Sequence, residues 1–329
     1  MRSIMKQDMH VAGTIYNNMV GHAFCLAAGR RPARLCEPGL TGGVDMAESI
    51  SSYKILGALG KGAHSTIYHI CRDDERQFAL KVVPIEKKEH AKYLEQAENE
   101  FRVGQMLDHP NLVKIHTLEL QRDWLWRVKK VHLLIELVQG KTLDQMPRLT
   151  MPQLVQVFEK LAKGLTHMHR RNVFHADLKP SNIMISKIGA VKILDFGLAW
   201  IRGKPKHRVQ GTPEYMAPEQ ANDTIVNEQT DIFNMGATMY RMTTGMLPPS
   251  TIAAPNCPPI DAKMFVNKLA PVSELAPTAP PELCDLIHRC LSFDPKKRPQ
   301  RMLEIIEMLG VLIEQLVQTD EDKLESMGW

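Results

Sequence analysis

The rhythm of apolar and polar positions changes twice along this chain. Residues 1–47 show no sustained period and carry six glycines, so they read as a disordered tail, with a start at Met46 as the sharper alternative. From Tyr53 the pattern is that of strands. Tyr53–Leu59 runs through Gly60 and Gly62 into Ile67 and Tyr68, a hairpin with glycines at its tip, and Phe78–Val83 is a further apolar strand. A helical segment is predicted over Glu86–Leu107 and a buried strand over Val131–Val138. After Gly140 the period becomes helical, with Leu154, Val157, Phe158, Leu161, Leu165 and Met168 spaced along one face of a helix from Pro152 to Arg170. The last segment, Met302–Val317, is apolar at 302, 305, 306, 309, 312, 313, 316 and 317. Its half beyond Gly310 extends the helix and either packs on the same lobe or forms a homodimer contact. Residues 245–281 hold nine prolines and read as an ordered but irregular loop. Trp124-Leu125-Trp126 reads as surface or core packing rather than a recognition site.

Composition narrows the class only a little. At 329 residues and 44% apolar content the chain can build real cores. A net charge of +4 gives no reason to expect a nucleic-acid partner. Six cysteines are sparse and unpatterned, which suits free thiols in a reducing compartment. Cys284, His288 and Cys290 match no standard zinc spacing, so packing on an amphipathic helix is the expectation there. No run of 18 apolar residues occurs, so no membrane span is predicted. The short apolar run at 23–28 does not make a secretory signal, and a cytoplasmic location is the default.

The chemistry concentrates between Val173 and Gly197. There the chain reads Val-Phe-His175-Ala176-Asp177-Leu-Lys179-Pro-Ser-Asn182-Ile-Met184, and then Leu194-Asp195-Phe196-Gly197. An aspartate five residues before an asparagine, with a second aspartate thirteen residues further on, supplies a base for a hydroxyl proton and two hard oxygen ligands for Mg²⁺. At these residues the chain resembles a protein kinase. The resemblance continues through Gly211-Thr212-Pro213-Glu214-Tyr215-Met216-Ala217-Pro218-Glu219 and Phe293–Pro299, covers residues 53 to about 309, and is most similar to eukaryotic-like (Hanks-type) serine/threonine kinases of bacteria.

That resemblance implies an α+β, bilobal fold: an N-lobe (48–138) with a five-stranded antiparallel sheet and one helix, a mainly helical C-lobe (139–310), and a helical extension (311–329). It implies transfer of the γ-phosphoryl of ATP to Ser or Thr hydroxyls of protein substrates, with Mg²⁺. Asp177 would be the base, Lys179 would neutralise the moving phosphoryl group, and Asn182 and Asp195 would hold the metal. Lys81 would grip the phosphates and pair with Glu100, with Glu98 as the alternative. Leu59, Gly60, Gly62, Ile67, Ala79, Ile135 and Met184 would line the nucleotide site, with the backbone of Glu136 and Val138 bonding the base. Side-chain identity at those last two positions would then matter little. Glu219 would pair with Arg298, and Asp231 would anchor the catalytic-loop backbone.

Four positions depart from the family pattern, the mildest being Ile67 where a valine usually follows the phosphate loop. Ser65 replaces the third glycine of the phosphate loop. Gly104 stands where an apolar side chain usually faces inward, which predicts a packing gap and a more mobile helix. Ala176 replaces the arginine that in many kinases binds a phosphate on the activation loop. Residues 198–211 contain no Ser, Thr or Tyr but carry Arg202, Lys204, Lys206 and Arg208. An enzyme not switched on by phosphorylation in that segment is expected, and the four cations either select acidic targets or are merely solvated. The competing reading is a nucleotide-binding scaffold with little catalysis.

Overall fold

The computed structural model describes residues 53–62, 64–204, 209–222, 225–252 and 260–326, with the side chains of 222 and 319–326 left aside. The tail and the alternative start at Met46 lie outside these residues, as do Lys206 and Arg208 of the basic segment.

Five strands form one antiparallel sheet: β1 (Tyr53–Lys61), β2 (Thr66–Arg72), β3 (Gln77–Pro84), β4 (Ile115–Arg122) and β5 (Val128–Glu136), in the order β1-β2-β3-β5-β4. Strand alternation turns Ile70, Phe78, Leu80 and Leu134 to one face and Val83 and Val131 to the other, where Ala97 of α1 (Ala91–Gly104) covers them. The helix starts later than the pattern predicts, because Lys88–His90 forms a 3₁₀ turn first.

Gly104 overturns an expectation. It is the last residue of α1 and is buried, and a Cβ placed on it would lie 2.7–2.8 Å from three side-chain atoms of Ile115. The predicted gap is therefore filled from β4: the space a larger helix residue would claim has gone to Ile115.

The C-lobe is built on α2 (Met151–His169). Gln153 accepts a hydrogen bond from the Thr150 amide at its start, and nine of its residues are buried. After short strands β6 (Gly140–Thr142), β7 (Val173–Phe174), β8 (Ile183–Ser186), β9 (Val191–Ile193) and β10 (Trp200–Ile201) come α3 (Pro218–Asn222) and α4 (Glu228–Thr244). Asn227 caps α4 by accepting from two amides, and Gly245 ends it at φ 76°. The proline-rich stretch is more regular than expected. It contains α5 (Ala262–Lys268), capped by Asp261, and α6 (Val272–Leu275), while 253–259 lie outside the described residues.

Helix α7 (Pro281–Cys290) buries Cys284 and Cys290 in the core, and His288 accepts from the Val272 amide. The last helix, α8 (Met302–Ser326), passes through Gly310 without interruption, with Leu312 in the core and Ile313 and Leu316 packed against it. One apolar core runs from α8 through α2 and α4 to Val103, Ile115 and Leu133 beneath the sheet. Among the described residues no helix is long and apolar enough to cross a membrane.

Candidate active site

The cleft between sheet and helical lobe collects the residues that the sequence singles out. Lys81 projects from β3, and its Nζ lies 2.7 Å from Glu100 Oε2 and 3.6 Å from Asp195 Oδ1. Glu100 reaches it because it shares the buried face of α1 with Ala97, a spacing of three. Glu98 makes no such contact with Lys81, so the geometry selects Glu100. Burial pushes the Glu100 carboxyl up to about 7, against the opposing pull of Lys81. Burial works against the charged form of Lys81, yet the Asp195 and Glu100 carboxylates raise it well above the ordinary lysine range. The Lys81 ammonium beside Asp195 in turn holds that carboxyl below its usual range, with help from the Gly197 amide.

Over the cleft lies the β1–β2 turn. The Gly62 amide donates to the Ser65 carbonyl at 2.7 Å, and a Cβ on Gly62 would come within 2.9 Å of Ser65 Oγ, so a larger residue there would have to displace the Ser65 hydroxyl. His64 stacks on Tyr93 of α1 with ring centroids 3.9 Å apart, tying the turn to the helix that carries Glu100. Neither residue was picked out from the sequence. Both line a cleft of about 400 Å³ shared with Lys81, Glu100 and Asp195.

The far wall is less polar. Ala79 and Ile135 face each other across β3 and β5, and Ile67 pairs with Lys81. Met184 on β8 and Val138 are half-buried, while Leu59 is largely exposed. Glu136 corrects an expectation: its side chain is not idle. Its carboxylate accepts from the Lys114 amide (3.0 Å) and from Lys192 Nζ (2.8–2.9 Å), tying the end of β5 to β9.

Asp177 sits in a dense net. Its Oδ1 accepts from the Thr212 amide (2.8 Å) and the Thr212 hydroxyl (2.7 Å), and its Oδ2 lies 3.0 Å from Lys179 Nζ. Lys179 also donates to Thr212 Oγ1 at 2.6 Å. Asn182 Nδ2 donates to the Asp177 carbonyl (2.9 Å), so the amide oxygen of Asn182 is the end that can serve a cation. Thr212 thus belongs to the cluster, although the sequence marked it only as part of the 211–219 match. His175 Nε2 lies 3.1 Å from the Leu194 carbonyl and joins the segment of Asp177 to that of Asp195.

The loop backbone is held from below. Asp231, fully buried on α4, accepts from the amides of His175 and Ala176, both at 2.8 Å. Its Oδ2 also lies 2.7 Å from His169 Nε2 at the end of α2, and Glu228 stands 3.3 Å from His169 Nδ1. Burial alone would lower this histidine, but its two carboxylate partners raise it to about 9. His169 escaped the sequence reading because nothing in its neighbours marks a contact 62 residues away. Ala176 and Asp195 both adopt left-handed backbone (φ 62° and 59°), a strain that clusters at functional sites.

Where an arginine would follow His175, Ala176 is buried in an apolar cluster with Phe174 and Val226, and Trp200 packs against it. Arg202, counted among the basic-segment cations, lies over the Phe174 ring at 5.4 Å. The end of the segment is fastened by Gln220, fully buried, whose amide donates to the carbonyls of Ala176 (2.7 Å) and Gln210 (2.8 Å). Beneath it, Arg298 donates to both oxygens of Glu219 (2.8 and 3.0 Å) and to the carbonyls of Gln229, Ser292 and Phe293.

A five-stranded antiparallel sheet over a helical lobe, with a lysine–glutamate pair above the cleft and an aspartate–asparagine loop below it, defines the bilobal kinase fold. A family model for the protein kinase domain matches residues 53–310, and the chain belongs to that family. It is 30% identical over 268 residues to the probable serine/threonine-protein kinase of Clostridium perfringens, covering 77% of this chain and 37% of that one. It is 27% identical to the serine/threonine-protein kinase PrkC of Bacillus subtilis over 60% of this chain and 31% of that protein. It is 29% identical to the Aurora/IPL1-related protein kinase 2 of Caenorhabditis elegans over 76% and 80% of the two chains. The similarity to Hanks-type serine/threonine kinases, bacterial ones among them, thus extends over the whole cleft. The matched segment spans only 37% and 41% of two Clostridium relatives.

Proposed function

We propose that this chain transfers the γ-phosphoryl group of ATP to serine or threonine hydroxyls of protein substrates. The observation that carries the reading is the joint placement of Asp177, Lys179 and Thr212 on one side of the cleft and Lys81, Glu100 and Asp195 on the other. Asp177 orients the attacking hydroxyl and takes its proton. Lys179, already 3.0 Å from that carboxylate, meets the charge that moves with the phosphoryl group, and Lys81 holds the remaining phosphates. The base of the nucleotide lies against Ala79, Ile135, Ile67, Leu59 and Met184, with backbone groups of Glu136 and Val138 as its partners and Gly60 and Gly62 over the phosphates.

Asn182 and Asp195 fit a divalent cation: one amide oxygen is free of its own amide's bond to Asp177, and one carboxylate stays ionised and about half exposed to the cleft. Both are hard oxygen donors, with phosphate and water left to complete the shell. Mg²⁺ bound there supplies charge neutralisation at the phosphates.

Activity without a phosphate on residues 198–211 is part of the reading. Its support is the apolar cluster at Ala176 and the Gln220 amide, which fastens the segment through neutral hydrogen bonds. The described cysteines, Cys71, Cys284 and Cys290, are free thiols, which favours cytoplasmic substrates.

The test is incubation of the purified chain with labelled ATP, Mg²⁺ and a basic protein. Label should appear on serine or threonine and fall about 10²–10⁴-fold in Asp177→Asn. Equal labelling by both proteins refutes catalysis at this site and leaves a nucleotide-binding scaffold.

A further inference from the structure

We infer that the β4–β5 hairpin tip, Arg122–Lys130, is a docking element for an anionic lipid surface. Trp124 and Trp126 are 86% and 79% exposed and Leu125 is 45% exposed, so the largest apolar side chains of this region contribute almost nothing to the core. They are held outward by a built turn. Asp123 Oδ1 accepts from the amides of Leu125 and Arg127, each at 2.9 Å, and the Trp126 amide donates to the Asp123 carbonyl. Arg122 donates to the Trp126 carbonyl, and Trp126 itself takes a left-handed conformation (φ 62°) that tryptophan rarely adopts. Fixing two tryptophans in that pose gains nothing for folding, which points to an external contact.

The chemistry of the tip says what kind of contact. Arg122, Arg127, Lys129 and Lys130 stand on its shoulders, against a single carboxylate, Asp123, which Lys129 meets at 3.6 Å. An aromatic apex with cationic shoulders matches the layering of a membrane interface, where tryptophan lies at headgroup depth and Lys or Arg meets acidic lipids. The apex is convex and three residues wide, so a protein partner would need a pocket for it, whereas a bilayer needs none. Geometry also permits docking without blocking the cleft. The nine residues of β5 separate the tip from the cleft end of the strand at Glu136, a span of about 30 Å at strand rise. The cytoplasmic leaflet is the anionic one, and each basic residue near it strengthens partitioning about fivefold.

The test uses the full chain and sucrose-loaded vesicles of phosphatidylcholine with or without phosphatidylserine. Co-sedimentation is expected only with phosphatidylserine and should weaken at raised salt. The Trp124→Ser, Trp126→Ser variant should lose about tenfold or more in partitioning, and Arg127→Gln, Lys130→Gln a similar factor. Thermal unfolding and labelling of a soluble protein should stay as in the parent chain. Equal sedimentation of parent and tryptophan variant, equal binding to both vesicle types, or no binding by the parent overturns the inference. The last outcome would assign the tip to a protein partner instead.

Discussion

Two buried ion pairs of similar length do opposite work in this molecule. Arg298 and Glu219 are enclosed: the guanidinium spends its donors on both carboxylate oxygens and three carbonyls, and Thr230 adds a hydroxyl to Glu219. Lys81 and Glu100 share one short contact at the edge of a cleft, with Asp195 a further 3.6 Å from the lysine. The first pair is saturated and has one arrangement. The second leaves the lysine with donors to spare and a carboxyl raised towards neutrality. A fastening needs every bond closed, whereas a site that receives a triphosphate needs charge held in place and incompletely satisfied.

The largest effect should come from breaking the closed pair. Arg298→Ala leaves Glu219 buried with only the Thr230 hydroxyl and no counter-charge, and should cost about 3–5 kcal/mol of stability, read by urea unfolding. Lys81→Ala should lower the urea midpoint much less, because the Glu100 carboxyl it strands is raised to about 7 and can take a proton, while phosphate transfer falls about 10²–10³-fold. A result in which Lys81→Ala unfolds the chain, or Arg298→Ala spares it, would erase the distinction between the two pairs.

His169 tests the same contrast below the catalytic loop. Its pKa is raised in the folded protein to about 9 from an ordinary 6.5. Its contribution is therefore fully present below about pH 6.5 and lost as pH rises through about 9. His169→Gln should flatten the urea midpoint over that window. Gly104→Ala should cost roughly 1–3 kcal/mol, because the added methyl meets Ile115, and Ile115→Val should recover part of the loss.

The smallest effect concerns Glu100. With its carboxyl raised to about 7, transfer should fall as the pH drops through that value and the Lys81 contact loses its anion. Stability responds the other way. A carboxyl raised above its unfolded value of 4.5 favours folding when protonated, so its contribution is lost as pH rises through about 7. A pH profile of transfer set beside one of urea midpoints should show opposite slopes near neutrality.

The sequence shows some of these features and hides others. Lys81, Glu100, Asp177, Asn182 and Asp195 were picked out because the chain matches the family's motifs at their positions, and the fold places Lys81, Glu100 and Asp195 in contact. The hairpin from Tyr53 and the strands at 78–83 and 131–138 were legible because strand alternation and glycine turns are local, whereas β4 was expected only through the family resemblance. What stayed hidden depends on contacts far apart in the chain. Gly104 looked like a gap because Ile115, which fills it, arrives from another strand. Gln220 and His169 look ordinary until the fold sets them against Ala176 and Asp231. Glu136 was read through its backbone alone, and Lys192 reaches its side chain across 56 residues. The two helices in the proline-rich stretch were missed because prolines that usually break helices here stand before and after them: α5 ends three residues before Pro271, and α6 starts directly after Pro271 and ends two residues before Pro277.

The neutral fastening of the basic segment has a consequence for how such a molecule would handle information. A hydroxyl on that segment would let a past event be written there as a covalent mark and kept until a phosphatase erased it. Residues 198–211 offer no hydroxyl to write on, and Gln220 closes the segment with bonds that carry no charge. If the proposed activity holds, a phosphate mark on a hydroxyl could not be written within 198–211 and would have to sit elsewhere in the chain.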